Sequence, residues 1–346
     1  MQTKAAILYS TRDLRIETLN VPEPKAGQVL VEIAYSGVCH SQLLEFAGKR
    51  GVDPYLPHTL GHEGSGRVLK VGPSVQKVKP GDRVVLTWIK GEGSDVPATH
   101  YQSGGATINS GAISTFMRHA LISENRVIPI SEKMPLLEAA LLGCMIPTGA
   151  GIVINTAKVK AGQSIAVFGI GGIGLGALTA ASIAGASPII AVDIHEPKLE
   201  FAKKAGATHV VNASRQNPLE EILKISPKGL DFAVEAAGKK VTMEMAFESV
   251  RPGGGLCVLA GNLPKGEKIS IDPFELIRGK RILGTWGGET HPDRDIPHYV
   301  DLYLKKKLKL DGIVTHQFCL DEIHQALEAL EAGKVGRAVI DFKAGD

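Results

Sequence analysis

The chain has few cysteines, no long apolar segment and little excess charge. Its 346 residues include only four cysteines, Cys39, Cys144, Cys257 and Cys319, which are too sparse for a disulfide framework. No apolar run reaches the roughly 18 residues of a membrane-spanning helix, and the opening "MQTKAAILYSTRDL" lacks the apolar core of a signal peptide. A formal net charge of +3 is too small to indicate nucleic acid or a membrane surface as partner. We therefore expect a cytoplasmic protein with reduced thiols.

The chain is long enough for two domains, and its character changes near residue 147. Before that point, runs such as "QVLVEIAYSG" and "GDRVVLTW" lie between Gly and Pro residues, which is typical of a compact, mostly antiparallel β domain. After it, apolar strands alternate with helical patterns, as in a doubly wound parallel sheet. The six strands are "SIAVFG", "PIIAVD", "HVVN", "LDFAVEA", "GLCVLAG" and "KRILGT". We predict an α/β protein with a β-rich domain over 1–146, a doubly wound domain over 147–286, and a return of 287–346 to the first domain.

A glycine-rich loop follows the first of these strands. Gly169-x-Gly171-x-x-Gly174 lies between a strand and a helix, so the glycines allow a tight turn and close approach of a pyrophosphate to the helix N-terminus. The next strand ends in Asp193, whose carboxylate can accept hydrogen bonds from both ribose hydroxyls and would repel a 2′-phosphate. The loop therefore predicts NAD rather than NADP as cofactor. The alternative is a structural glycine turn with Asp193 facing solvent.

A cysteine and a histidine are adjacent in "GVCHS". Neighbours on an extended segment point to opposite sides, so Cys39 and His40 would not easily bind one ion. Further candidates are His62 in "LGHEG" and Cys144 in "LLGCMIPTG". Cys39, His62 and Cys144 together form the two-sulfur, one-nitrogen ligand set of a catalytic zinc with one position left open. The alternative is that all three are ordinary buried residues without metal.

These motifs resemble those of the zinc-containing medium-chain alcohol dehydrogenases over nearly the whole chain. The shared motifs are "GVCHS", "GHExxGxxxxxG" (61–72), "PGDRV" (80–84), "GCxxxTGxG" (143–151), "GxGGxG" (169–174) and "GKVGRAVIDF" (333–342). The resemblance implies a GroES-like catalytic domain and a Rossmann dinucleotide-binding domain. It also implies that Cys39, His62 and Cys144 hold zinc, with Glu63 beside the metal as a supporting carboxylate or an alternative ligand.

The resemblance also implies the remaining roles. Ser41 would relay the proton of the substrate hydroxyl, while Trp88 and Trp286 would line the substrate pocket. His40 and Arg337 would contact the cofactor pyrophosphate, Lys198 the adenosine ribose, and Thr148 the nicotinamide. With the glycine loop, the predicted cofactor contacts are His40, Thr148, Gly169, Gly171, Gly172, Ile173, Gly174, Asp193, Lys198 and Arg337. The expected reaction is a reversible hydride transfer between an alcohol and NAD, giving an aldehyde or ketone, in a homodimer or homotetramer.

Three departures from the family pattern change the expectations. Many members bind a second, structural zinc through four closely spaced cysteines, but the corresponding stretch 89–111 contains none, so we expect one zinc per chain. Gln42 replaces the usual aspartate that orients the zinc-binding histidine, which removes a negative charge from its surroundings. Leu44 replaces the histidine that usually ends the proton relay.

Two other functions remain open from the sequence. A zinc-free NAD(P)H quinone or enone reductase would share the fold, but it would not need Cys39, Cys144 and Asp193 together. A non-catalytic nucleotide-binding protein would also share it, because a fold alone does not fix function. The metal ligands and Ser41 argue against that second alternative.

Overall fold

A computed structural model describes residues 1–343 of the chain. The backbone forms two compact units. The first contains Met1–Cys144, His291–Lys306 and the chain from Leu310 onward, and the second contains Met145–Thr290 with Lys307–Lys309. The segments predicted from the sequence, 1–146, 147–286 and 287–346, remain a prediction, and residues 344–346 of the last segment lie outside the described residues.

The strands are numbered here in chain order. They are β1 (Gln2–Ser10), β2 (Asp13–Asn20), β3 (Gln28–Val38), β4 (His58–Thr59), β5 (Glu63–Val71), β6 (Arg83–Thr87), β7 (His100–Ser103), β8 (Ala106–Asn109), β9 (His119–Ser123), β10 (Val127–Pro129), β11 (Ile165–Phe168), β12 (Ile189–Asp193), β13 (His209–Asn212), β14 (Phe232–Glu235), β15 (Leu256–Leu259), β16 (Arg281–Gly284), β17 (His316–Phe318) and β18 (Ala338–Asp341).

The helices are numbered in the same way. They are α1 (His40–Phe46), α2 (Leu136–Ala140), α3 (Met145–Gly151), α4 (Gly172–Ile183), α5 (Glu196–Lys204), α6 (Pro218–Ile225), α7 (Lys240–Ser249), α8 (Pro273–Ile277), α9 (Pro292–Leu304) and α10 (Ile323–Glu331). Within residues 1–343 no single helix is long and apolar enough to cross a membrane. The bent pair Leu136–Gly143 and Met145–Thr156 meets the length and composition requirement only when its two parts are joined.

The first unit is built from a small closed barrel and a larger sheet. The barrel order is β1-β2-β7-β8-β4, and the sheet order is β10-β6-β5-β3-β18-β17, with β9 also paired to β3. Side chains from both, including Ile7, Val31 and Leu86, join one buried apolar cluster. The late strand β18 pairs antiparallel with β3 and is therefore part of the larger sheet.

The second unit is a six-stranded parallel sheet in the order β13-β12-β11-β14-β15-β16. Strands β11, β12 and β14 are buried along their whole length, as expected for parallel strands covered on both faces. The edge strand β16 is mostly exposed. All six strands predicted from the sequence are present. The predicted fold class, a β-rich GroES-like domain with a doubly wound Rossmann domain, is confirmed.

Candidate active site

Antiparallel pairing brings the predicted metal ligands to one end of the sheet in the first unit. Cys39 follows the last residue of β3, and His62 precedes the first residue of β5. These two strands pair antiparallel through Ser36 and Gly64, so the end of one lies beside the start of the other. Cys144, the third predicted ligand, follows a 3-10 turn that ends at Gly143.

The same end of the sheet also receives two other predicted site residues. Strand β6 pairs with β5 through Glu63 and Thr87, which places Trp88 at the first position after β6. Strand β18 pairs with β3 through Ala338 and Val38, which places Arg337 just before β18. Residues far apart in the sequence therefore meet because four strand ends coincide.

Cys39, His62, Glu63 and Cys144 each contribute one potential ligand atom to a compact group. These atoms all lie within 4.8 Å of one another. The neighbouring Cys144 thiol and His62 lower the pKa of Cys39 well below its usual value, although burial opposes this. The hydrogen bond with the Cys39 sulfur, together with burial, raises the pKa of Cys144. Two sulfurs this close share one negative charge unless a cation between them stabilises both thiolates.

Glu63 and Arg337 form a buried ion pair behind these ligands. Their side chains are 0% and 5% exposed, respectively. Burial raises the pKa of Glu63, and Arg337 partly offsets the increase. Burial alone would lower the pKa of Arg337, but Glu63 and the two cysteines raise it. Sequence reasoning placed Arg337 on the cofactor pyrophosphate, and that role stays a prediction. The structure places its guanidinium against Glu63.

The side-chain amide of Gln42 lies against His62 Nδ1. Gln42 Oε1 is buried without a hydrogen-bond partner. Rotating the amide by half a turn would let Oε1 accept a hydrogen bond from Nδ1–H, and His62 Nε2 would then be free to bind a metal. This arrangement also gives the unpaired Gln42 oxygen a hydrogen-bond partner. The two thiols and the imidazole nitrogen then fit a zinc ion. The donor set leaves a coordination position open.

The residues after Cys39 are carried by helix α1. Cys39 itself has extended backbone angles, and the helix begins at His40, so the chain turns between the two residues. His40 is exposed and is not part of the ligand group. Ser41 and Leu44 are both partly buried and lie three residues apart, on the same side of the helix.

The glycine loop in the second unit joins β11 to α4. Gly169 adopts a φ of +89°, a conformation that glycine adopts at no steric cost. A Cβ atom at Gly174 would lie 2.0 Å from the Gly169 carbonyl oxygen, whereas one at Gly171 would meet nothing within 4 Å. The loop is thus closely packed on one side and open at the N-terminus of α4, where Gly172 and Ile173 form the first turn. This geometry fits a pyrophosphate.

The other predicted cofactor residues of the second unit are Asp193, Lys198 and Thr148, and their role stays a prediction. Asp193 ends β12, and its carboxylate accepts hydrogen bonds from the backbone N–H groups of Ile170 and His195 at 2.7 and 2.9 Å. Each carboxylate oxygen keeps a lone pair for a ribose hydroxyl. Lys198 is partly buried on α5. Thr148 Oγ1 on α3 is buried without a hydrogen-bond partner among the described residues, which suits a contact with a bound cofactor.

The two tryptophans have different surroundings. Trp88 is partly buried. Its indole N–H donates to Cys144 Sγ with an N–S distance of 3.2 Å, a contact that sequence reasoning did not predict. Trp286 is 79% exposed and follows the edge strand β16. Their predicted role as substrate-pocket residues stays a prediction.

Sequence reasoning also missed a second polar cluster, formed by Glu45, Asp53 and His58. His58 Nε2 lies 2.8 Å from Asp53 Oδ2 and 3.9 Å from Glu45 Oε1. Asp53 Oδ1 accepts a hydrogen bond from the Tyr55 backbone. These contacts tie the loop between α1 and β4 to the helix. The only sequence signal was the acidic and histidine content of this loop.

Comparisons with known proteins identify the family to which the chain belongs. Two family models match the chain: the alcohol dehydrogenase GroES-like domain over residues 25–132 and the zinc-binding dehydrogenase over residues 172–305. The chain is 33% identical to S-(hydroxymethyl)glutathione dehydrogenase from Paracoccus denitrificans, over 98% of this chain and 100% of that protein. The chain belongs to the zinc-containing medium-chain alcohol dehydrogenase family.

Solved structures of family members are similar to the chain over 99% of both lengths. An alcohol dehydrogenase zinc-binding domain protein from Burkholderia ambifaria has a TM-score of 0.91 at 31% identity. Benzyl alcohol dehydrogenase from Acinetobacter calcoaceticus has a TM-score of 0.89 at 32% identity. The chain is therefore an oxidoreductase of the alcohol dehydrogenase type, and its cofactors are zinc and NAD, which is typical of the family. The predicted family, reaction class and cofactors are confirmed.

Proposed function

We propose that the chain catalyses the reversible NAD-dependent oxidation of a small alcohol to an aldehyde or ketone at one zinc ion held by Cys39, His62 and Cys144. The observation that carries this proposal is the convergence of these residues within 4.8 Å at one end of the sheet. Glu63, which forms an ion pair with Arg337, is a supporting carboxylate or an alternative ligand. The stretch 89–111 contains no cysteine, which supports one zinc per chain.

In this site zinc supplies Lewis-acid polarisation of the substrate oxygen, and NAD supplies the hydride acceptor. Ser41 holds the proton released from the substrate hydroxyl. Leu44, one turn further along α1, has no acid–base group and cannot pass that proton on. Trp88 forms one wall of the substrate site, and we keep Trp286 as a second candidate. Thr148, whose Oγ1 is buried without a hydrogen-bond partner among the described residues, would contact the nicotinamide.

The second unit binds the rest of the cofactor in this proposal. The N–H groups of the loop from Gly169 to Gly174, together with His40 and Arg337, hold the pyrophosphate. Asp193 and Lys198 hold the adenosine ribose. The backbone contacts that fix the Asp193 carboxylate support its placement at the ribose, where it would repel a 2′-phosphate.

A substrate panel tests the reaction directly. NADH absorbance would be followed with primary, secondary, aromatic and polyol alcohols, including benzyl alcohol and S-(hydroxymethyl)glutathione, the substrates named for two relatives. We expect turnover with at least one alcohol, and its loss together with zinc in Cys39→Ser. Cys319→Ser is the matched control, because Cys319 is free and lies outside the ligand group. Bound zinc and NAD without turnover of any alcohol would instead favour a non-catalytic nucleotide-binding protein.

We also propose that the chain assembles as a homodimer or homotetramer through the edge of the second unit. Strand β16 is the last strand in its sheet order among residues 1–343. Exposed apolar side chains lie along and beside it, with Phe274 58%, Ile277 78% and Leu283 42% exposed. An open edge flanked by apolar residues favours pairing with a second copy.

Size-exclusion chromatography with light scattering tests this assembly. Ile277→Asp should shift the protein toward the monomer, because it places a charge within the apolar surface. Val52→Asp is the control, since Val52 is 97% exposed in the first unit. A monomeric unsubstituted protein would contradict the proposed assembly.

We further propose a cytoplasmic location. None of the four cysteines forms a disulfide. Two of them are the proposed metal ligands, and a cysteine must stay reduced to bind a metal. Cell fractionation checks the location. Recovery of a protein with a Cys39–Cys144 disulfide from an oxidising compartment would contradict it.

A further inference from the structure

The indole of Trp88 contacts two of the three metal ligands. Its Nε1–H donates a hydrogen bond to Cys144 Sγ at 3.2 Å. Its ring also meets the His62 imidazole edge to face, with ring centroids 6.5 Å apart and an interplanar angle of 80°. Cys144 itself is 6% exposed. The sulfur therefore receives a directed donor in a buried setting, where such a bond is stronger than in water.

Trp88 is also held from its backbone side. The Arg126 guanidinium donates to the Trp88 carbonyl oxygen. The strand β6 ends one residue earlier and is paired with β5 at Thr87 and Glu63. These contacts fix the backbone on both sides of the indole. A donor whose position is fixed loses little conformational entropy when it binds the sulfur.

We propose that Trp88 is a positioning residue whose indole N–H donates to the Cys144 thiolate and thereby tunes the metal centre. This inference rests on the proposed function, because it requires a metal bound by Cys144. A hydrogen bond to a thiolate withdraws electron density from the sulfur, so the sulfur donates less to the metal. The metal then remains a stronger Lewis acid toward the substrate oxygen. An aromatic residue that served only as a pocket wall would not need the N–H.

Two replacements remove the N–H and keep an aromatic ring. The first is Trp88→Phe. The second replaces Trp88 by benzothienylalanine, an isosteric analogue in which sulfur replaces the indole N–H. Because Trp88 and Trp286 are the only tryptophans, the analogue is incorporated in a Trp286→Phe protein, where position 88 alone carries it. Trp286→Phe by itself is the matched control, since that side chain is 79% exposed in the second unit.

The measurement is the thiolate-to-cobalt charge-transfer absorption of the protein with Co(II) in place of zinc and no substrate present. Removing the N–H raises the energy of the sulfur lone pair, so the band should move to longer wavelength in both replacements. It should not move in Trp286→Phe. If Trp88→Phe fails to fold, the isosteric analogue decides the result.

The outcomes separate this inference from the proposed function. A band at the same wavelength in all folded proteins would refute the role of the indole N–H and leave the metal centre intact. The absence of any thiolate-to-cobalt band in the unsubstituted protein would overturn both. Changes in KM without a band shift would assign Trp88 to the pocket wall alone and would overturn the tuning role.

Discussion

Removing Arg337 should destabilise the first unit strongly, because it would leave the buried Glu63 carboxylate without its guanidinium partner. Glu63 is 0% and Arg337 5% exposed. Two unit charges about 4 Å apart attract by about 4 kcal/mol at an effective dielectric constant of about 20. Breaking a buried pair by removing one partner typically costs about 3–5 kcal/mol. We therefore expect Arg337→Met to lower the free energy of unfolding by about 3–5 kcal/mol.

The double variant separates charge from packing. Glu63→Gln with Arg337→Met removes both charges, so it should cost less than the sum of the two single changes by about 2 kcal/mol or more. The matched control is Arg15→Met, whose partner is Asp13. That pair is 55% and 37% exposed, and an exposed pair contributes about 0–1 kcal/mol.

The assay must report on the first unit and exclude metal binding. In a Trp286→Phe background, Trp88 is the only tryptophan and lies in the first unit, so its fluorescence follows the urea unfolding of that unit. A chelator removes stabilisation by bound metal, which would otherwise act by mass action. An exposed ion pair contributes no more than about 1 kcal/mol. If Arg337→Met lowers the free energy of unfolding by less than that, the buried pair does not stabilise the unit as argued.

Four further predictions follow from the site and its surroundings. Elemental analysis after dialysis should find one zinc per chain and none in Cys39→Ser; two zincs per chain would disprove the assignment. Asp193→Gly should lower the ratio of kcat/KM with NAD to kcat/KM with NADP by a factor of ten or more, and each factor of ten corresponds to roughly 1.4 kcal/mol. A wild-type protein that already prefers NADP would contradict the placement of Asp193. Ser41→Ala should lower kcat for alcohol oxidation by about 10²-fold or more. Leu44→His should raise kcat below about pH 7, where hydroxide is scarce, and should do little at high pH. A mild effect of Ser41→Ala, combined with an unchanged pH profile of kcat in Leu44→His, would mean that the proton leaves by another path. Glu124→Gln should lower the free energy of unfolding by about 1–3 kcal/mol, because Glu124 accepts backbone hydrogen bonds at both carboxylate oxygens. Although burial opposes it, these bonds lower the pKa of Glu124, so the contribution is present above the ordinary pKa of about 4.3 and is lost as the pH falls through the lowered value. Urea unfolding of wild type and variant across that range measures it, and a difference that does not shrink in acid would contradict the assignment.

For the metal ligands, the sequence alone predicted the family correctly but not the contacts among the side chains. The motifs around Cys39, His62 and Cys144 predicted a ligand set, because two cysteines and one histidine are a set typical of a catalytic zinc. They could not predict that Arg337 lies against Glu63, since this pair joins residues 274 positions apart (337 − 63) through the pairing of β18 with β3.

The dinucleotide loop was predictable because its determinants are local. Gly169, Gly174 and Asp193 fall within one strand–helix–strand unit, so their spacing fixes their relative positions. The indole contact with Cys144 was not predictable in the same way. It depends on where β6 ends relative to the turn before Cys144, and no local pattern encodes that distance.

The sequence by itself determined the fold class, the two kinds of domain and the identity of the candidate ligands, because hydrophobic periodicity and glycine turns act over short stretches. The tertiary structure decided which polar groups face one another at the end of the sheet. Strand ends from four parts of the chain meet there, and only their pairing register places Trp88 on Cys144, Arg337 on Glu63, and Gln42 on His62. Such contacts depend on distances between distant segments, and burial then makes each of them energetically significant.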